Sequence, residues 1–142
     1  MPGEKILVVD DEPQIRSLLR SLLSRQGYEV TEAGDGAEAL SLCEKGFSFD
    51  LVVTDVVMPQ MDGLQLSRKI AALRPSTRVL FMSGKCEFEQ VASQVSEFGF
   101  GFIKKPFAVE ELRESVRNQL RVRGMARPAR KKRPQGGVTP AK

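Results

Sequence analysis

Five times along this chain a short strand-like run, mostly aliphatic and unbroken, gives way to a helical pattern, and no other feature narrows the fold as much. Ile6-Leu7-Val8-Val9, Glu29–Ala33, Leu51-Val52-Val53-Thr54, Val79-Leu80-Phe81-Met82 and Gly101-Phe102-Ile103 are the strand candidates. After the first, Pro13 suits a helix's opening turn, where the N–H it lacks would be unpaired anyway. Ile15, Leu18, Leu19, Leu22 and Leu23 then repeat at helical spacing, and Gly27 is expected to end that helix. The turn Gly34-Asp35-Gly36 opens a short helix to about Cys43. Leu66, Ile70 and Leu73 mark a helix that must stop before Pro75. Phe88, Val91, Ala92, Val95 and Phe98 make a fourth apolar face, and Val109, Leu112, Val116 and Leu120 a fifth.

Continuous apolar strands alternating with helices imply a parallel sheet covered on both faces. The expected fold class is therefore α/β, a three-layer, doubly wound (βα)5 domain. In such sheets ligands bind beyond the carboxyl ends of the strands.

The chain's 142 residues suit one domain, and 41% hydrophobic with 28% charged residues is ordinary for a globular protein. No apolar run approaches the roughly 20 residues that span a bilayer. Met1 to Lys5 leads straight into a strand without a secretory apolar region, so a cytoplasmic, free-standing protein is expected. There is no histidine, hence neither the commonest zinc ligand nor the commonest general base. Cys43 and Cys86 form no CxxC pair and read as reduced thiols.

The net charge of +4 conceals a division. Of 22 basic residues, eight fall in 121–142, where there is no acid; residues 1–120 carry the other 14 and all 18 acids. The body is thus net −4 and the tail +8. Gly124, Pro128, Pro134, Gly136, Gly137 and Pro140 break any element there. We divide the chain into a domain at 1–122 and a basic tail at 123–142, expected to be disordered. The tail could be a solvated end, a nonspecific nucleic-acid or anionic-surface contact, or a docking segment. No helix-turn-helix fits in it, so sequence-specific DNA binding is not expected.

The strand ends carry the chemistry. Strand one ends in Asp10-Asp11, strand three in Asp55, strand four in Ser83 and strand five in Lys105. A parallel sheet brings these ends to one edge. Three carboxylates within ~5 Å repel by about 3 kcal/mol per pair at an effective dielectric of ~20. Such a cluster calls for a cation or for protonation, and an all-oxygen donor set suits Mg²⁺. With a lysine and a hydroxyl nearby, a carboxylate there is equipped to receive a phosphoryl group and form an aspartyl-phosphate.

Val8-Val9-Asp10-Asp11-Glu12-Pro13, Val53-Thr54-Asp55 with the loop to Asp62-Gly63, Met82-Ser83-Gly84 and Lys104-Lys105-Pro106-Phe107 together resemble the response-regulator receiver family over residues 4–120. The resemblance implies a flavodoxin-like strand order 2-1-3-4-5. It implies that Asp55 is the phosphoacceptor, with Asp11 a direct Mg²⁺ ligand and Asp10 one acting largely through water. The backbone carbonyl of Val57 would complete the protein's share of the metal sphere. Lys105 would bridge an acid and the phosphoryl group, and Ser83 would hydrogen-bond the phosphoryl and shift on activation. Phe102 occupies the switch-aromatic position, without the hydroxyl of the tyrosine found in many relatives. The Lys105–Pro106 bond is often cis in such relatives.

The resemblance further implies a phosphoacceptor rather than an enzyme. A sensor histidine kinase or phosphotransfer protein would supply the phosphoryl group, a downstream protein would read the changed surface, and dimerisation on activation is left open. Three other classes compete. One is a nucleic-acid binder working through the tail. Another is a receiver that no longer takes phosphate, but none of its acids or its lysine is missing. The last is a phosphotransfer enzyme or phosphatase with an aspartyl intermediate. Such enzymes carry a second acid two residues after the nucleophile, where this chain has Val57. By the resemblance, Val57 and Lys85 occupy positions that influence phosphoryl lifetime, and an apolar side chain at 57 cannot position an attacking water. Slow autodephosphorylation is therefore expected.

Overall fold

The computed structural model describes residues 3–58, 60–84 and 101–121. Five strands, β1 (Lys5–Val9), β2 (Glu29–Ala33), β3 (Leu51–Asp55), β4 (Arg78–Ser83) and β5 (Gly101–Lys104), form one sheet in the order β2-β1-β3-β4-β5. Every neighbouring pair is parallel. The helices are α1 (Pro13–Ser24), α2 (Gly36–Glu44), α3 (Gly63–Leu73) and α4 (Val109–Arg121). The strand order and three-layer architecture agree with the sequence reading. The helical pattern at Phe88–Phe98, Lys85, Cys86 and the basic tail lie outside the described residues.

Alternation along the strands sorts the core into two layers. Ile6 and Val8 of β1, Leu51 and Val53 of β3, and Leu80 and Met82 of β4 face Leu19 and Leu23 of α1 and Leu112, Val116 and Leu120 of α4. Leu7, Val9 and Val52 point the other way, onto Ala39 and Cys43 of α2 and Leu66 and Ile70 of α3. Both faces are buried, which is why the central strands read as unbroken apolar runs.

The helix starts follow local chemistry. Pro13 stands at the first turn of α1. Asp35 caps α2 by accepting from the Glu38 N–H at 2.8 Å, while the Glu38 carboxylate accepts from the N–H of Gly34, one residue before the cap, at 2.8 Å. Asp62 caps α3 by accepting from the Gln65 N–H at 2.8 Å. Gly27 closes α1, whose last regular residue is Ser24. It takes φ +98°, its N–H donates to the Ser24 carbonyl at 3.0 Å, and the Tyr28 N–H reaches back to the Leu23 carbonyl at 3.4 Å, a left-handed helix end that glycine adopts without a Cβ penalty.

Leu112→Ala removes a fully buried side chain of α4 and is expected to cost about 2–5 kcal/mol of unfolding free energy. Leu18→Ala, on the exposed face of α1, should change it by no more than about 0.5 kcal/mol. Urea denaturation measures both; equal losses would contradict the two-layer core.

Candidate functional site

The sheet register levels the carboxyl ends of the strands. Val9 pairs with Thr54, Asp55 with Met82, and Ser83 with Lys104. Asp10, Asp11 and Asp55 therefore emerge side by side, and one carboxylate oxygen from each lies within 4.8 Å of the others. Lys105, just past β5, donates from Nζ to Asp55 Oδ2 at 2.8 Å, fifty residues away in sequence. Its neighbour Lys104 is exposed at the end of β5. Of the two lysines, between which the sequence offered only the Pro-Phe that follows, it is Lys105 that contacts Asp55. The Lys105–Pro106 peptide is cis.

The acid pair is not simply a helix cap. Glu12 holds the N-cap position of α1. Asp10 is buried; its Oδ1 accepts from the Glu12 N–H at 2.9 Å, and its Oδ2 is buried without a hydrogen-bond partner. A buried carboxylate oxygen with no donor is costly unless a cation faces it. Three oxygens from three carboxylates fit a hard divalent ion of the Mg²⁺ class.

Burial pushes the Asp10 carboxyl above the usual carboxylate range, and the charges of Asp55 and Asp11 add to this. The Glu12 N–H and the Lys105 charge pull the other way without cancelling it. For Lys105, burial favours the neutral amine. The hydrogen bond and charge of Asp55, with Asp10 and Glu12 behind them, outweigh that and leave its pKa above the ordinary lysine value. Lys105 is therefore charged at neutral pH.

The remaining residues surround this cluster. The Val57 N–H donates to Asp55 Oδ1 at 3.3 Å, and the Val57 side chain is exposed above the site. Ser83 is buried at the end of β4. Its hydroxyl donates to the Gly84 carbonyl at 3.2 Å, and its own carbonyl accepts from the Lys105 N–H at 2.8 Å. Phe102 is half-buried on β5 and packs with Val56, Leu64, Val79 and Phe81, its ring centroid 6.4 Å from that of Phe81.

The described residues of the family motifs fall on this edge. The family profile of the response regulator receiver domain matches residues 6–117. This chain belongs to the response-regulator receiver family. The receiver is 32% identical over 120 residues to sporulation initiation phosphotransferase F of Bacillus subtilis (strain 168), covering 84% of this chain and 96% of that protein. It is 40% identical over 117 residues to sensor kinase CckA of Brucella abortus (strain 2308), but there the match covers 81% of this chain and only 12% of the kinase. Against the transcriptional regulatory protein YbdJ of Bacillus subtilis it spans 52% of the relative's length. A response regulator receiver domain protein from Clostridium thermocellum superposes with a TM-score of 0.78 at 29% identity, over 85% of this chain and 97% of that one. Receivers accept a phosphoryl group from histidine kinases and generally hold Mg²⁺ in an acidic pocket. Among the described residues, no helix is long and apolar enough to cross a membrane.

Two residues at the receiver's site were not singled out from sequence. A Cβ on Gly63 would lie 2.3 Å from the Asp55 carbonyl oxygen, so only glycine lets α3 start against β3. The signal was its place after the capping Asp62. Arg16 reaches back from α1 to the Asp10 carbonyl at 2.8 Å. Nothing in the local pattern separates it from the other surface cations.

The sign of the Asp10 shift gives a test. A carboxyl raised in the folded state contributes stability fully present below its unfolded pKa and lost as pH rises through the folded value. At pH 7 the ionised Asp10 therefore weakens the metal-free fold. Asp10→Asn should stabilise metal-free protein at pH 7 by about 1–3 kcal/mol, with the gain shrinking as pH falls through the carboxylate range. Thermal melting in a chelator, from pH 4 to 8, reads both; destabilisation at pH 7 would count against the strained cluster.

Proposed function

We propose that this receiver takes a phosphoryl group on Asp55 from the phosphohistidine of a sensor histidine kinase or phosphotransfer protein, and that the adduct alters a protein-binding surface. The observation that carries this reading is the Lys105 amine on Asp55 Oδ2 at 2.8 Å, beside two further acids. Asp10, Asp11, Asp55 and the backbone carbonyl of Val57 would hold Mg²⁺. When bound, Mg²⁺ supplies positive charge against the acids and the phosphoryl oxygens.

The chain's own residues do the rest. A carboxylate oxygen of Asp55 attacks phosphorus, the P–N bond of the donor breaks, and the imidazole leaves, taking its proton from solvent. Lys105 moves from the Asp55 carboxylate to the incoming phosphoryl oxygens, which then carry the charge it neutralised. The Ser83 hydroxyl, which donates to the Gly84 carbonyl at 3.2 Å, turns to donate to the phosphoryl group. That movement frees space at the end of β4, and Phe102 repacks against Phe81. The surface that changes is the one around β5 and α4.

Residues 1–122 form this domain and 123–142 its basic tail. We infer that the protein acts in the cytoplasm as a single-domain response regulator and phosphoacceptor without enzymatic turnover. Its output is contact with a downstream protein or a second copy, not sequence-specific DNA.

With Mg²⁺ and a small acyl phosphate, the wild type should form an adduct stable to acid and labile to base, and Asp55→Asn should form none. No adduct at saturating donor would overturn the reading. Because Val57 offers no group to orient water, the adduct should persist for minutes after donor removal. Loss within seconds would contradict this role of Val57 alone.

A further inference from the structure

Asp10 is held at three points, two on its backbone and one on its side chain. Its N–H donates to the Ala33 carbonyl at 3.2 Å, its Oδ1 accepts from the Glu12 N–H at 2.9 Å, and its carbonyl accepts from Arg16 Nη1 at 2.8 Å. Only Oδ2, buried in the acid cluster, is left without a partner. Hydrogen bonds thus hold the N–H, the carbonyl and one carboxylate oxygen of the residue that follows β1.

Arg16 is itself held. Its Nε donates to Glu32 Oε1 at 3.3 Å, and the other Glu32 oxygen accepts from Arg20 Nη1 at 3.2 Å. Glu32 belongs to β2, the strand beside β1. A rigid, planar guanidinium therefore ties the end of β1 to the side chain of its neighbouring strand, using two donors of fixed relative direction. Arg16 touches Asp10 at its backbone carbonyl, at 2.8 Å, so its contact fixes the direction of the peptide that carries the carboxylate.

We infer that Arg16, braced by Glu32, is a positioning residue that aims the Asp10 carboxylate into the cation site and thereby sets the affinity of this receiver for its divalent ion. The inference rests on the function proposed above and adds a residue to it. Groups that orient the ligands of a metal commonly change its affinity by 10–100-fold when removed. Asp10 is expected to act largely through water, which places Arg16 near the lower end.

A lysine at 16 keeps the charge, but its single nitrogen cannot reproduce a planar fork to both the Asp10 carbonyl and Glu32. Arg20 provides the control. It is a cation one helical turn away that touches the same glutamate but not Asp10.

The test measures Mg²⁺ affinity by calorimetry on the full chain, and separately the rate of phosphorylation by a small acyl phosphate as Mg²⁺ is varied. Arg16→Ala and Arg16→Lys should both weaken Mg²⁺ about tenfold. Both should raise the Mg²⁺ concentration for half-maximal phosphorylation by the same factor and leave the rate at saturating Mg²⁺ within about twofold of wild type. Arg20→Ala should leave Mg²⁺ affinity within about twofold of wild type. Should Arg16→Ala melt before the assay temperature, Arg16→Lys and Glu32→Ala carry the same comparison. Wild-type affinity in Arg16→Lys, or an equal loss in Arg20→Ala, would show that charge and not orientation is at work and would overturn the inference. Normal Mg²⁺ binding with no adduct in the wild type would overturn the phosphoryl-transfer reading and leave the Arg16 result standing. A wild type that binds no Mg²⁺ would overturn both.

Discussion

Three carboxylates held within 4.8 Å of one another constrain everything around them. At an effective dielectric of ~20, charges at about that spacing repel by roughly 3 kcal/mol per pair. A flexible chain would let such groups drift apart. Here Asp10 and Asp11 directly follow β1, and Asp55 is the last residue of β3, two strands hydrogen-bonded to each other in the middle of a sheet packed on both faces. The apolar core resists their separation, and the stability of the fold is spent in part on keeping them together.

The compensation is partial by design. Lys105 brings one positive charge to Asp55 from the far side of the sheet, and the Glu12 N–H brings one hydrogen bond to Asp10. Asp10 Oδ2 still has no partner, and burial holds the Asp10 carboxyl above its ordinary pKa. The site therefore has room for more positive charge. A divalent cation fits the donor set, and a phosphoryl group arriving with its own negative oxygens would find Lys105 already in place. Elements on rigid strands hold the reacting groups, while loops such as the one ending at Gly63 close around them. The 2.3 Å approach that a Cβ at position 63 would make to the Asp55 carbonyl shows how little clearance that closure leaves.

Much of this was legible in the sequence because it depends on local pattern. Apolar runs such as Ile6–Val9 and Leu51–Val53 had to be strands buried on both faces, and Pro13 and Pro75 bounded helices as their backbones require. The convergence of Asp10, Asp11, Asp55 and Lys105 followed once parallel pairing was inferred, since parallel strands end on a common edge. The strand order did not follow from pattern and came from the family resemblance. Arg16 was invisible for a different reason. Its role depends on which carbonyl and which glutamate lie across from it in space, and an arginine on an exposed-looking turn of α1 resembles Arg20 in every local respect. Gly27, by contrast, was legible locally, because a glycine just past the last apolar turn takes the left-handed conformation that closes the helix.

The claim that this edge is built around a divalent ion is tested most directly by titrating the metal-free protein with Mg²⁺ while following backbone amide chemical shifts. A single saturable site is expected. Its shifts should centre on residues 10–12, 55–58 and 105, and they should be lost in Asp11→Asn. Shifts scattered over surface carboxylates without saturation, or a wild-type spectrum that Mg²⁺ leaves unchanged, would contradict it.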